Sequence, residues 1–416
     1  MNGFPLMARI SRVLLVTAFT ALAACQSTVP SGQAPVQGSG SQGAGSSQVV
    51  PPPPPGGTPP VQAPAEGTRP VLEGPGKIGA LLPLSGAQAA LGQALLDSIQ
   101  LALNDSRGGI PVELVARDTG GTAEGARRAA ESAIQAGANV IVGPLFGAEV
   151  PAVADVARAR NVPVLSFTNN AAVASPGVYA LGLLPRNQVE RLVSYAREKG
   201  AKRFVLVAPG NPYGEIVEES VRTVVTATGG ELVATERYAE NMNGVSAAVK
   251  RAASARGGMD AFILAGVGDP LLMASTFVPY YDIDTKATQL LVVTVGWDDA
   301  RLQQEAALFG GFIAAPLTTK RDQFLQRFKQ TYNRDAPLLA SLGYDAAALA
   351  VAVIREATST DLTTGLTNAS GFEGYDGVFR LRTDGTNQRL LPVLQFQRGG
   401  AKPVAEPPNR FVDLTQ

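Results

Sequence analysis

The chain predicts an α/β protein built as two parallel-sheet domains of similar size, on three observations. From Lys77 onward, short apolar runs alternate with amphipathic stretches of helical length. This alternation occurs as two successive series, the second beginning after Pro185. The roughly 340 residues involved exceed one typical core and fit two. Strands separated by helices imply right-handed crossovers and a sheet covered by helices on both faces.

In the first series, Lys77-Ile78-Gly79-Ala80-Leu81-Leu82 is a continuous apolar run ended by Pro83, the pattern of a strand buried on both faces. Residues 92–104 carry Leu95, Leu96, Ile99 and Leu103 at helical spacing. A strand over 112–116 closes at Arg117-Asp118, with Asp118 expected to cap or anchor the loop beyond it. A helix over 122–135, a strand over 140–142 ending at Gly143-Pro144, a helix over 152–160 and a strand over 163–167 complete the series. In the second, helices are expected over 188–199, 213–228, 245–255 and 271–277, and strands over 204–207, 232–235, 261–265 and 290–295. Helices over 323–332 and 341–356 and short strands near 378–381 and 391–396 end the chain. Two such series suggest lobes facing across a cleft, where open parallel sheets hold ligands at the carboxyl ends of their strands.

The first 76 residues differ in kind. Arg9 and Arg12 precede the apolar run 13–24, which is shorter than the ~20 residues a membrane-spanning helix needs and fits a secretory signal. Met1 and Met7 both fit as its start. Leu22-Ala23-Ala24-Cys25 resembles a bacterial lipobox, which implies cleavage after Ala24 and a lipid on the Cys25 thiol. Gln26 and Ser27 put no aspartate second after that cysteine, which under the usual sorting convention favours the outer membrane. From Gln26 to about Gly76 the chain holds five consecutive prolines, Pro51 to Pro55, with Gly/Ser repeats and almost no charge or large apolar group. Such a segment cannot offset its ordering entropy and is expected to be a disordered linker.

Composition excludes several chemistries. The chain has no histidine and one cysteine, so histidine-based triads, zinc sites and thiol catalysis are not expected. Gly266-Val267-Gly268 lacks the third glycine of a dinucleotide fingerprint, and no Gly-Lys-Ser/Thr phosphate loop occurs. The adjacent acids Asp298 and Asp299 would point apart and are expected to be solvated. Net charge is zero, and no basic patch with interleaved aromatics suggests nucleic acid. No enzyme, cofactor or metal is expected.

Five segments in register, Ile78 to Gly86, Asp118, Ile141-Val142-Gly143-Pro144, Val162 to Ser166 and Asn211-Pro212-Tyr213-Gly214, resemble the leucine/isoleucine/valine-binding type of periplasmic binding protein, from Lys77 to about Gly343. The resemblance implies two Rossmann-like lobes joined by three crossings, with lobe one at 77–183 plus 287–358 and lobe two at 184–286 plus 359–416. Gly296-Trp297-Asp298-Asp299, Phe309-Gly310-Gly311-Phe312 and Ala340 to Ala346 further resemble lipoprotein activators of penicillin-binding proteins. That resemblance implies a non-catalytic module regulating peptidoglycan synthesis. The alternative is a receptor delivering branched-chain amino acids to an ABC permease.

In the amino-acid-binding relatives, hydroxyl and backbone N–H donors at two strand ends of lobe one take the ligand carboxylate. The matching positions are Ser166, Thr168 and Asn169 in one loop and Gly147 in the other, where the family often has a serine and this chain offers only a backbone N–H. Tyr213 matches the lobe-two tyrosine that closes over the ligand, and Asp269 is the acid nearest the ammonium-pairing position. Ser166, Thr168 and Asn169 also suit turns and helix caps, Tyr213 suits packing at a helix start, and Asp269 suits an N-cap. Trp297, the only tryptophan, is expected in core or hinge packing rather than as a ligand platform. The lipobox generates a direct test. A fatty-acid analogue fed to cells should label the wild-type chain and leave Cys25→Ala unlabelled, and label retained by the variant would refute the anchor.

Overall fold

The structure is a computed structural model that describes residues 74–106 and 108–414. The signal peptide expected over 1–24, Cys25 and nearly all of the linker expected over 25–76 lie outside the described residues. The chain folds as an α/β protein with parallel sheets, as its alternating pattern predicts. The first sheet contains β1 (Gly76–Leu82), β2 (Val112–Asp118), β3 (Val140–Val142), β4 (Val164–Ser166) and β5 (Val178–Ala180), all parallel, in the order β2-β1-β3-β4-β5. Between them run α1 (Ala89–Asp105), α2 (Ala123–Gln135) and α3 (Val150–Arg158).

Successive side chains of a strand point to opposite faces, and β1 shows why its run is apolar throughout. Ile78, Ala80 and Leu82 pack with Leu95 and Ile99 of α1, whereas Leu81 packs with Ala126 and Ala130 of α2 and Val153 of α3. Asp118, at the end of β2, accepts hydrogen bonds from Leu84 N at 2.8 Å and Gly120 N at 2.8 Å, anchoring the loop after β1. Slight burial opposes its charge, but the donors of Ser85, Gly120 and Leu84 hold its carboxyl below the usual range.

The second sheet follows α4 (Pro185–Glu198). Strands β6 (Arg203–Pro209), β7 (Glu231–Tyr238), β8 (Ala261–Ala265), β9 (Gln289–Val293) and β10 (Phe312–Ala314) alternate with α5 (Pro212–Ala227), α6 (Met242–Ala253), α7 (Gly268–Tyr280) and α8 (Ala300–Gln304). Then come α9 (Thr318–Tyr332), α10 (Ala340–Glu356), α11 (Thr363–Leu366), a three-stranded antiparallel sheet of β11 (Phe372–Gly374), β12 (Gly377–Leu381) and β13 (Asn387–Arg389), and finally β14 (Val393–Gln395) and β15 (Lys402–Ala405). The second sheet has the order β15-β14-β10-β9-β8-β6-β7, antiparallel only at β14 and β15. Among the described residues no helix is long and apolar enough to cross a membrane.

Sheet membership corrects the expected lobe boundaries. Residues 287–316 go with lobe two rather than lobe one, because β9 pairs along its whole length with β8 and β10 adds beside it. Residues 359–389 go with lobe one rather than lobe two, because Leu362, Leu366, Phe379 and Leu381 bury in the core formed by α1, α10 and β1. Residues 284–288 and 359–361, at two of the boundaries the resemblance implies, each form a short turn within one lobe. The chain crosses between lobes at 181–184, 315–317 and 390–392. Helices α9 and α10 belong to lobe one: Phe324 and Phe328 of α9 pack on Ala94 and Leu101 of α1.

The first turns of α4 tie these crossings together. Gln188, fully buried, donates to Ala314 O at 2.8 Å and accepts from Thr294 N at 3.0 Å. Asn187 donates to Asn387 Oδ1 at 2.7 Å, and Asn387 Nδ2 donates to Ala180 O at 2.6 Å and Gly182 O at 2.8 Å. Arg191 Nε reaches Leu391 O at 2.9 Å. Burying these amides is tolerable only because each is satisfied. Replacing Gln188 with Leu would strand one carbonyl and one N–H, each worth ~1–3 kcal/mol, so Gln188→Leu should lower urea-derived stability by about 2–6 kcal/mol. A loss well under 1 kcal/mol would mean that water replaces the amide.

Candidate functional site

Between the lobes lies a cavity of about 450 Å³. It opens at the carboxyl ends of β3, β4 and β9, where an open parallel sheet places ligands. A larger cavity of about 730 Å³ lies elsewhere, lined by Arg158, Thr360, Asp361 and further threonines. No buried, unpartnered side-chain atom points to a ligand there, so the cleft is the candidate site.

Backbone constraints build its lobe-one wall. Gly143 ends β3 at φ 104°, and a Cβ there would fall 2.2 Å from Leu81 O. Only glycine allows the chain to turn at this point and present Leu145, Phe146 and Gly147 to the cavity. Glu149, buried at the end of the short turn Gly147–Glu149, accepts from Phe146 N at 3.1 Å, and its burial pushes its carboxyl pKa up. The neighbouring loop follows β4. Ser166 is buried, donates to Pro144 O at 3.1 Å and accepts from Thr168 N at 3.3 Å, so its hydroxyl joins the two loops.

The structure brings Gly147, Thr168 and Asn169 together on the cavity wall. Thr168 Oγ1 accepts from Asn170 N at 3.1 Å, which leaves its own hydrogen to donate. A Cβ on Gly147 would lie 3.0 Å from that Oγ1, so the glycine that departs from the family pattern keeps the Thr168 hydroxyl uncovered. Tyr213 and Asp269 lie outside the lining. The Tyr213 hydroxyl donates to Val293 O at 3.1 Å and its ring packs into the core of lobe two. Asp269, in the first turn of α7, is exposed and pairs with Arg301 Nη1 at 2.5 Å. Asp299 caps α8 by accepting from Arg301 N, whereas Asp298 borders the cavity.

Four charged residues and a serine, none of them an expected ligand contact, form the cavity floor and its support. Arg321, near the start of α9, is 7% exposed. Its Nε and Nη2 donate to Asp376 Oδ1 at 3.0 and 2.6 Å, and Ser341 Oγ donates to Asp376 Oδ2 at 3.1 Å. The Arg321 guanidinium lies 4.4 Å from the centre of the Trp297 ring, a cation–π contact from lobe one to lobe two worth up to ~2 kcal/mol when desolvated. Trp297 is thus both packed, as expected, and part of the cavity lining. Arg389, 5% exposed at the end of β13, donates Nη2 to Leu181 O at 2.7 Å and stacks on Phe379. Asp345, on the buried face of α10, accepts from Tyr375 N at 3.0 Å, while its Oδ2 has no partner. Burial, then the neighbouring Asp376, push its pKa up to about 7.

Two α/β lobes joined by three crossings, with strand ends converging on a cleft, define a two-lobed binding protein. Residues 75–401 match the periplasmic binding protein family, and the chain belongs to that family. Among solved structures it is similar to a branched chain amino acid ABC transporter periplasmic ligand-binding protein from Burkholderia xenovorans, with TM-score 0.63 and 17% identity, covering 80% of this chain and 96% of that one. It is also similar to the C-domain of LpoA from Haemophilus influenzae, a regulator of PBP1A, with TM-score 0.61 and 18% identity, covering 79% of this chain and 100% of that one. Among curated proteins, an uncharacterized protein of Rickettsia prowazekii is 23% identical over 174 residues, which span 42% of this chain and 46% of that relative.

Asp345 generates a prediction with a definite sign. Its folded pKa lies above the unfolded value of 3.8, so the native state holds the extra proton between the two, and this contribution to stability is lost as pH rises toward about 7. Asp345→Asn mimics the neutral acid at every pH. Its stability relative to wild type should therefore improve as pH is raised from about 5 to 8, measured by urea denaturation. A difference independent of pH would show that Asp345 is ionised throughout.

Proposed function

We propose that this chain is a non-catalytic, lipid-anchored periplasmic module that binds and regulates a penicillin-binding protein. The observation that carries the reading is the state of lobe two at the cleft. Tyr213 is tied to Val293 O and Asp269 to Arg301, so the two side chains matched to the closing tyrosine and the ammonium partner of amino-acid receptors are occupied elsewhere. The likeness to the LpoA C-domain supports the same reading. So does the length of the Pro/Gly/Ser-rich segment after Cys25, a spacer that suits contact with a partner away from the lipid and that an uptake receptor does not need.

The uptake reading draws on Thr168 and Asn169 at the cavity and on the likeness to branched-chain amino acid binding proteins. Two measurements separate them. Crosslinking in cells should capture a penicillin-binding protein, and recovery of an ABC permease in its place would favour uptake. Calorimetry with the common amino acids should give no dissociation constant below about 10 μM, near −7 kcal/mol. Sub-micromolar binding of a branched-chain amino acid, lost in Thr168→Ala, would reverse the assignment.

A further inference from the structure

The arginines of the cleft floor carry more N–H donors than the acceptors around them meet. Asp376 is fully engaged by Arg321 and Ser341. Arg389 has no carboxylate partner of its own, and its Nε and Nη1 are buried with no acceptor. Arg321 Nη1 is likewise buried without one. Three guanidinium donors on two cavity-lining residues, each more than nine-tenths buried, are costly to leave unmet, because a buried N–H without an acceptor forfeits its full hydration. Asp345 does not meet them, since it accepts from Tyr375 N and its other oxygen has no partner. Planar guanidinium forks match carboxylates in geometry as well as in charge.

The remaining walls limit what the anion can be. Leu338 and Leu339, at the start of α10, are 38% and 43% exposed and line the cavity together with Trp297, which calls for an apolar body. Asp298 borders the cavity from lobe two, so a second negative charge at that end is disfavoured while a neutral N–H or O–H donor is welcome. In a free amino acid the ammonium sits one carbon from the carboxylate. With the carboxylate on Arg389, that ammonium would be forced against the same two guanidiniums.

We propose that the cleft takes an organic monoanion: one carboxylate seated on Arg321 and Arg389, an apolar body against Trp297, Leu338 and Leu339, and no ammonium beside the carboxylate. The proposal rests on the cleft being a ligand site and is independent of which protein the module regulates. In such a complex the two guanidiniums turn their unmet N–H groups to the carboxylate, and the Thr168 hydroxyl, lining the same cavity, is a further donor. An N-acyl amino acid has the required parts, with its amide N–H left to face Asp298.

Calorimetric titration of the detergent-solubilised full chain with N-acetyl-leucine, N-acetyl-leucinamide, leucine and inorganic phosphate tests this directly. N-acetyl-leucine should bind roughly 10-fold or more tightly than each of the other three. Arg389→Gln should erase its advantage over the amide, and Arg389→Lys should restore part of it. The acid-against-amide comparison uses the wild-type chain, so the test stands even if Arg389→Gln fails to fold. Equal binding of acid and amide, phosphate binding as tightly as the acid, leucine binding tighter than its acetyl derivative, or no saturable binding of N-acetyl-leucine up to about 10 mM would each overturn the proposal. Failure to capture a penicillin-binding protein would leave it intact.

Discussion

The two lobes share one polar seam, and the geometry of the cleft follows from it. Asn187, Gln188 and Arg191, within two turns of α4, bond to Asn387, Ala314, Thr294 and Leu391, so that one helix start touches segments from all three crossings. Apolar packing would hold such a seam without fixing its register, because hydrophobic contact is non-directional. Buried amides are directional, and leaving one unmet costs more than making it gains. The seam therefore sets which residues of lobe two face which residues of lobe one. Trp297 meets Arg321 because β9 and α9 both emerge from it.

At the cleft itself polarity is used in the opposite way. Along the seam every side-chain amide described above has a partner, whereas the floor leaves donors on Arg321 and Arg389 and one oxygen of Asp345 unmatched. A protein interior tolerates few such groups, and here the unmatched donors of Arg321 and Arg389 belong to two residues lining one cavity, with Asp345 behind them. The same cluster holds the three-stranded sheet to α10: Asp376 lies in the turn between β11 and β12 and Asp345 accepts from Tyr375. Structural and ligand-facing charges are thus the same charges, and any change in the cavity is felt by the packing behind it.

Most of the fold was legible because both sheets are covered on two faces, which makes their strands continuous apolar runs and their helices cleanly amphipathic. The three-residue strands β5, β10, β11 and β13 were not, since three residues carry no periodicity to separate strand from loop; the equally short β3 and β4 are legible with the help of Pro144 and Pro163, which bound them. The expected lobe boundaries come from the family resemblance, and the crossings themselves are too short to carry a sequence signal of their own. At the cavity, Gly147, Thr168 and Asn169 are singled out only because the family resemblance matches them to ligand-contacting positions. Arg321, Asp376 and Arg389 converge from separate elements with no local pattern, and Arg321 lies in a Thr-Thr-Lys-Arg-Asp-Gln stretch that reads as a solvated helix start. The one available hint was Asp345, an acid on the apolar face of the Ala-rich helix α10.

Trp297 brings one more consequence. It is the only indole in the chain, it belongs to lobe two, and its ring rests on a guanidinium of lobe one at 4.4 Å. Separation of the lobes would draw that ring away from a cation and into water, altering both the brightness and the colour of its emission. The molecule therefore carries its own optical gauge of cleft width, readable without any attached dye and free of background from a second tryptophan.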